Sequence, residues 1–177
     1  MLLLGLSICF GPLLASVGAI SWRDCANQEK DWYKTPEAIR IGDNVLYFQS
    51  DVGGWYKNDG SIHASGNAAI DVHSQEDKRK YKKSLEQRKY PCTLDNDATW
   101  SEMRFLAKVH AATGKQKYRE GFLKGVQYLL EAQYPSGGWP QFYPLRPGYS
   151  SRITFNDGAM IGAIAILDDV VQRRAPY

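Results

Sequence analysis

Gln49-Ser50-Asp51-Val52-Gly53-Gly54-Trp55 is answered by Gln133-Tyr134-Pro135-Ser136-Gly137-Gly138-Trp139, 84 residues further along the chain. Each copy follows apolar residues at helical spacing and closes on paired glycines, which let a backbone turn out of a helix. A second match, Asn96-Asp97-Ala98 with Asn156-Asp157-Gly158, has an offset of 60 and opens the next helix each time. The offsets differ by 24, so the loop from Trp55 to Asn96 is expected to be 24 residues longer than that from Trp139 to Asn156. The repeated unit is a helical hairpin. Such units cannot bury their apolar faces alone and stack on one another. The predicted class is all-α, with hairpins closing into an (α/α) toroid.

The helices read outward from these loops. Thr35-Pro36-Glu37 is a start signal: a capping hydroxyl, proline in the first turn and an acid at the positive end of the dipole. Ala38, Ile41, Val45 and Phe48 follow on one face, and Gly53-Gly54 ends the segment. A second helix is predicted from about Ala98 to His110, with Gly114 as its C-cap. A third starts near Lys115 and carries Tyr118, Phe122, Val126 and Leu129. The last starts near Asp157 and is apolar nearly all round, so it is expected to be buried. No alternating strand pattern is present.

Composition narrows the function classes. With 177 residues, 44% hydrophobic and 23% charged, the chain is neither disordered nor fibrous. A net charge of +3 is too small to argue for nucleic acid, and none is expected as a partner. Seven bases and one acid fall between Lys78 and Lys89, a run of +6 that leaves −3 elsewhere. This stretch, within the long first loop, reads as a solvated face or loop, or as an attractor of polyanions. Residues 1–19 carry no charge and end in Val17-Gly18-Ala19, a secretory signal pattern. The expected mature part is 20–177, secreted, with no membrane anchor once the signal is cleaved. Cys25 and Cys92 then remain, as one disulfide or as two buried thiols. His63, His73 and His110 are scattered and lack zinc spacing.

Chemistry concentrates in Thr93-Leu94-Asp95-Asn96-Asp97-Ala98-Thr99 and in Ile153-Thr154-Phe155-Asn156-Asp157-Gly158-Ala159-Met160. One Asp or Asn before a helix is a cap. Capping does not require such a polar cluster twice, at the helix starts of two repeats. In a ring of hairpins these starts share one rim, so their carboxylates converge. Oxygen donors without His or Cys suit calcium.

These residues carry a family resemblance. The chain resembles the family 10 polysaccharide lyases, the pectate lyases. The match runs from Ile20-Ser21-Trp22 through Glu37 to Leu46, Gly53 to Asn58, Leu94 to Thr99 and Arg104-Phe105-Leu106-Ala107. It resumes in Gly137-Gly138-Trp139-Pro140-Gln141-Phe142-Tyr143-Pro144 and in Tyr149 to Met160. The resemblance implies calcium-dependent β-elimination of polygalacturonate on an (α/α) toroid, giving 4,5-unsaturated uronides. It implies Asp95 and Asp157 as calcium ligands and Asn96 beside the substrate. Asp97 either contributes or caps. It further offers Trp139 and Tyr143 as cleft-lining residues, with packing in the core as the alternative for both, and Arg152 as a partner for a uronate or as a solvated surface base; a monomer is expected. The family's base is an arginine well downstream of the second Asn-Asp helix. It is expected beyond Tyr177, so the chain corresponds to the N-terminal half of a complete domain. Relative to the family, Tyr56 replaces a frequent proline and Gly158 a frequent acid. The competing expectations are an inactive remnant or uronate-binding module, and more remotely a triterpene-cyclase-like ring, where Gln-x-x-x-Gly-x-Trp is structural.

Overall fold

The computed structural model of the chain describes residues 20–56, 72–87 and 92–177. The expected signal segment lies outside them, as do His63 and the last two bases of the basic run. The elements, in order, are α1 (Trp22–Ala26), a 3-10 turn (Lys30–Lys34), α2 (Pro36–Phe48), α3 (Gln75–Glu86), α4 (Trp100–Thr113), α5 (Gln116–Ala132) and α6 (Ala159–Val171). Two short strands, β1 (Cys92–Thr93) and β2 (Phe142–Tyr143), pair antiparallel, with Cys92 opposite Tyr143 and Thr93 opposite Phe142. The described part is thus mostly helical, an all-α toroid fragment.

Local signals explain most of these elements. The Thr35 side chain accepts from the Ala38 amide and starts α2, with Pro36 at its first position. Ala38, Ile41, Val45 and Phe48 are all buried, as their spacing predicts. α4 starts two residues later than expected and runs to Thr113, where Gly114 donates its N–H to the His110 carbonyl. α4 and α5 then form the most closely packed hairpin, since Gly125 lets α5 sit directly on Met103.

The hairpin repeat is reproduced bond for bond. The indole N–H of Trp55 donates to the Val45 carbonyl at 2.9 Å, and that of Trp139 to the Leu129 carbonyl at 2.7 Å. Gln49 donates to the Gly53 carbonyl, and Gln133 to that of Gly137. Past the tryptophans the repeat needs one correction. The Thr93 amide donates to the Trp55 carbonyl and the Thr154 amide to the Trp139 carbonyl, both at 3.1 Å. Tyr56 bridges Cys92 just as Pro140 bridges Ile153. The backbone therefore aligns Asp95-Asn96-Asp97 with Asn156-Asp157-Gly158, an offset one residue larger than sequence identity suggests. Ala98 and Thr99 add a step before α4 that α6 lacks.

Two glycines of the repeat differ in surroundings. Gly53 (φ +97°) and Gly137 (φ +92°) both need the left-handed region. A Cβ on Gly53 would sit 2.4 Å from the Lys124 carbonyl oxygen, whereas one on Gly137 meets nothing within 4 Å. Gly53→Ala is therefore expected to destabilise by about 1–3 kcal/mol more than Gly137→Ala in urea melts, the added cost of overpacking. Equal losses would show that backbone conformation alone matters.

Two expectations are corrected and one open alternative is resolved. The basic run is not a loop over its described part: α3 spans it from Gln75 to Glu86. Ser74 caps it, accepting from the Asp77 amide, and Glu76 and Asp77 fill its first turn. Leu85 anchors it, and Lys82 reaches the Tyr47 carbonyl on α2. Second, α6 is not buried all round. Ile161 (68%) and Val171 (75%) are exposed, because no described element covers that side. Likewise Leu46 is covered by Gly121 of α5, while its repeat counterpart Leu130 is exposed. The alternative left open for Cys25 and Cys92 resolves to two buried free thiols. Burial pushes Cys25 up to about 12 and Cys92 up to about 11, which keeps both protonated and unreactive.

Candidate active site

The two Asn-Asp turns lie against each other at one end of the hairpins. Each is a single 3-10 turn, Asp95–Asp97 and Asn156–Gly158. Asn96 (φ 52°, ψ 46°) and Asp157 (φ 50°, ψ 31°) occupy equivalent left-handed positions. Asp97 and Thr99 also have positive φ. Such conformations cost free energy in non-glycine residues and cluster at functional sites. Thr99 shows how the strain is held. It is fully buried; its hydroxyl accepts from the Trp55 amide and donates to the Thr93 carbonyl.

The capping explanation fails on geometry. The N-cap residues of α4 and α6 are Thr99 and Gly158, and neither helix start has a side-chain cap bond. Asp97 and Asp157 are left with outward-facing carboxylates. Asp95 is different: it is 1% exposed, and its Oδ2 accepts from Gln141 Nε2 at 2.5 Å. Its amide bonds to Thr93 Oγ1. Asn96 is half-buried between them.

Electrostatics link the two turns. Partial removal of water raises the Asp97 carboxyl above its usual range; nearby Arg23 opposes this and the charge of Asp157 adds to it. Asp97 and Asp157 therefore sit within each other's field, a concentration of like charge that a cation relieves. The donors are all hard oxygens, which fits calcium. Among the described residues no three His, Cys, Asp or Glu side chains form a ready metal cluster. The turns thus offer part of a calcium shell, to be completed by amide oxygens, water or an incoming carboxylate.

A cleft of about 630 Å³ opens beside the first turn. Asn96 and Asp97 line it together with Trp100, Arg104 and Lys108 from one face of α4 and Arg23 from α1. Arg104 pairs with Asp169 at 3.5 Å. Burial, and then the charge of Arg104, lower the Lys108 pKa. Of the other sequence candidates, Arg152 is exposed on the segment entering the second turn. Trp139 does not line the cleft: at 2% exposure it is a core residue whose N–H holds a helix end. Tyr143 is half-buried, with its ring edge-on to Tyr128.

A profile of the pectic acid lyases matches residues 49–177. The chain belongs to the pectic acid lyase family. It is similar to a solved family 10 polysaccharide lyase from Cellvibrio cellulosa, with 33% identity over 88% of this chain and 40% of that one (TM-score 0.60). It is also similar to a variant of the Cellvibrio enzyme solved with trigalacturonic acid, at 32% identity over 90% of this chain and 44% of that one (TM-score 0.63). No curated protein matches. The chain thus spans less than half the length of these solved lyases. The matched region includes both loops of the repeat and both acidic turns, so family membership and the candidate site rest on the same residues.

Proposed function

We propose that the two acidic turns of this lyase-family chain hold the calcium of a pectate lyase site. That site cleaves polygalacturonate by β-elimination to 4,5-unsaturated uronides. One observation carries this reading. Two turns from two repeats adopt the same strained conformation and press together, while none of their side chains caps a helix. Asp95 and Asp157 would be the ligands, with Asn96 at the substrate side.

The chemistry follows from where charge develops. The C5 proton of a uronate leaves to a base, electrons move into a C4–C5 double bond, and the C4–O bond breaks. Calcium bound here would draw in the uronate carboxylate and spread the charge that grows beside it. Asp95 is held rigid by burial, so it offers a fixed oxygen. Asp157 faces the surface, where the polymer arrives. Arg23, Arg104 and Lys108 give the adjacent cleft a cationic wall suited to further uronates. The outward bases Arg79, Lys80 and Lys83 of α3 add long-range attraction for a polyanion. The base is the arginine that the resemblance places downstream of the second turn. A secreted monomer fits a polymeric extracellular substrate.

Unsaturated uronide formation on polygalacturonate by a full-length protein that carries the downstream arginine, followed by ultraviolet absorbance, tests the reading. Activity is expected to need added calcium and to vanish with a chelator; persistence in chelator overturns the calcium assignment. Asp157→Ala is expected to weaken calcium binding about tenfold or more, a loss of about 1.4 kcal/mol. Titration calorimetry checks it. Unchanged affinity in both Asp95→Ala and Asp157→Ala would remove them as ligands.

A further inference from the structure

Gln141 was not among the candidate site residues read from the sequence, yet its side chain contacts the buried acid of the site. It lies in the second repeat, two residues past Trp139, and is 5% exposed. Its main chain is fixed on both sides. The Gln141 amide donates to the Ser150 carbonyl, and its carbonyl accepts from the Leu94 amide and from Thr93 Oγ1. With the backbone immobile, the side chain reaches across to Asp95 Oδ2 at 2.5 Å.

Two features separate this contact from a simple loop lock. The loops are already joined by the β1–β2 pair and by the two bonds to the Gln141 carbonyl, so the side-chain bond is not needed to hold them. In addition, Gln141 Oε1 is buried without a hydrogen-bond partner among the described residues. Leaving a buried acceptor unmade is unfavourable. A flipped amide would aim that oxygen at the carboxylate and repel it, so the carboxylate sets the amide's direction. The equivalent position in the other turn, Asn156, accepts only from its neighbour Thr154 and has no described grip from the other repeat.

We propose that Gln141 is a positioning residue for the calcium site: it fixes the orientation of Asp95 so that the remaining carboxylate oxygen is presented in one direction. This rests on the calcium reading above. Hydrogen-bond partners of metal ligands hold ligand orientation, and their loss typically weakens metal affinity.

The test is calcium titration of the chain by calorimetry, with Gln141→Met as an isosteric variant lacking the donor. Gln141→Asn, which retracts the amide by one methylene, covers the case in which the first does not fold. Either folded variant is expected to raise the calcium Kd about 10–100-fold, while melting in chelator shifts little. Circular dichroism establishes folding. A lowered melting temperature in chelator with wild-type calcium affinity would assign Gln141 a structural role only and overturn the proposal. Asp95→Ala separates the two levels. If it loses calcium while the Gln141 variants do not, positioning fails and the ligand assignment stands. If it binds calcium like wild type, the assignment of Asp95 fails, and positioning with it.

Discussion

Trp55→Ala is expected to remove most of the protein's stability. Trp55 is fully buried, and truncating a buried Trp costs about 3–5 kcal/mol. A domain of this size has only about 5–15 kcal/mol to lose. The indole also does a task no aliphatic residue can. The Val45 carbonyl near the end of α2 would ordinarily accept from the Gln49 amide, which instead bonds to Leu46. Trp55 Nε1 fills the vacancy at 2.9 Å. Its main chain joins Thr99 and Thr93 as well, so the ring is anchored at the root of the first acidic turn. Trp55→Phe keeps most of the apolar surface and drops the donor, so it is expected to cost about 1–3 kcal/mol, the price of an unmade buried bond. Urea melts of the three proteins rank these effects. A midpoint for Trp55→Ala near that of wild type would refute the architectural role of the repeat.

That repeat was legible in sequence for a physical reason. An indole donor must sit a fixed distance past the helix it closes, and the intervening turn needs a residue at positive φ. Those two demands leave a Gly-Gly-Trp signature. The register of the second half of the repeat was harder to read. Asn-Asp followed by a small residue matches best by identity at an offset of 60, whereas the backbone aligns Thr93 with Thr154. Backbone bonds set the register, and they leave no mark on side-chain identity. Helix α3 was missed because nearly every position in it is polar, so it shows no apolar stripe beyond Leu85. The signal present was the Ser74 cap followed by two acids. The exposure of α6 had no sequence signal, since an apolar helix looks the same whether or not a neighbour covers it.

In the site, residue types were readable and partnerships were not. Asp95, Asn96 and Asp157 announced themselves by clustering at helix starts. Gln141 did not, because its function depends on two repeats folding together through β1 and β2. Arg104 and Lys108 are four residues apart on α4, a spacing that places both on one face. Arg23, from α1, joins them only in three dimensions. Of the two roles open to Trp139, its place in the repeat pointed to the one observed, since its ring is needed by the core.

Glu102→Gln is expected to stabilise the protein increasingly as pH rises. Glu102 is fully buried, three residues past Thr99, and burial pushes its carboxyl up to about 8, with the charge of Asp97 adding to the rise. Bonds from Ser101 and from nearby amides oppose the shift without cancelling it. The native state therefore keeps a proton that the unfolded chain releases near the ordinary glutamate value. For an acid raised in this way the stability contribution is fully present below the unfolded pKa and is lost as pH climbs toward the native one. Across that window, about pH 4.5 to 8, wild type loses at most about 1.4 kcal/mol per pH unit relative to a glutamine, which never ionises. Melting curves of both proteins at intervals over this range should nearly coincide at the acid end and separate steadily toward pH 8. Parallel curves would mean that Glu102 ionises without penalty, through water reaching it or through a compensating cation. The location makes the outcome informative about more than stability. The Ser101 hydroxyl that donates to Glu102 also accepts from the Trp22 indole, so this acid tethers α1 to α4 directly behind the cationic cleft. Ionising it would place a negative charge behind Arg104 and Lys108, in the wall that is to receive uronates. A protonated Glu102 adds no negative charge beside that wall.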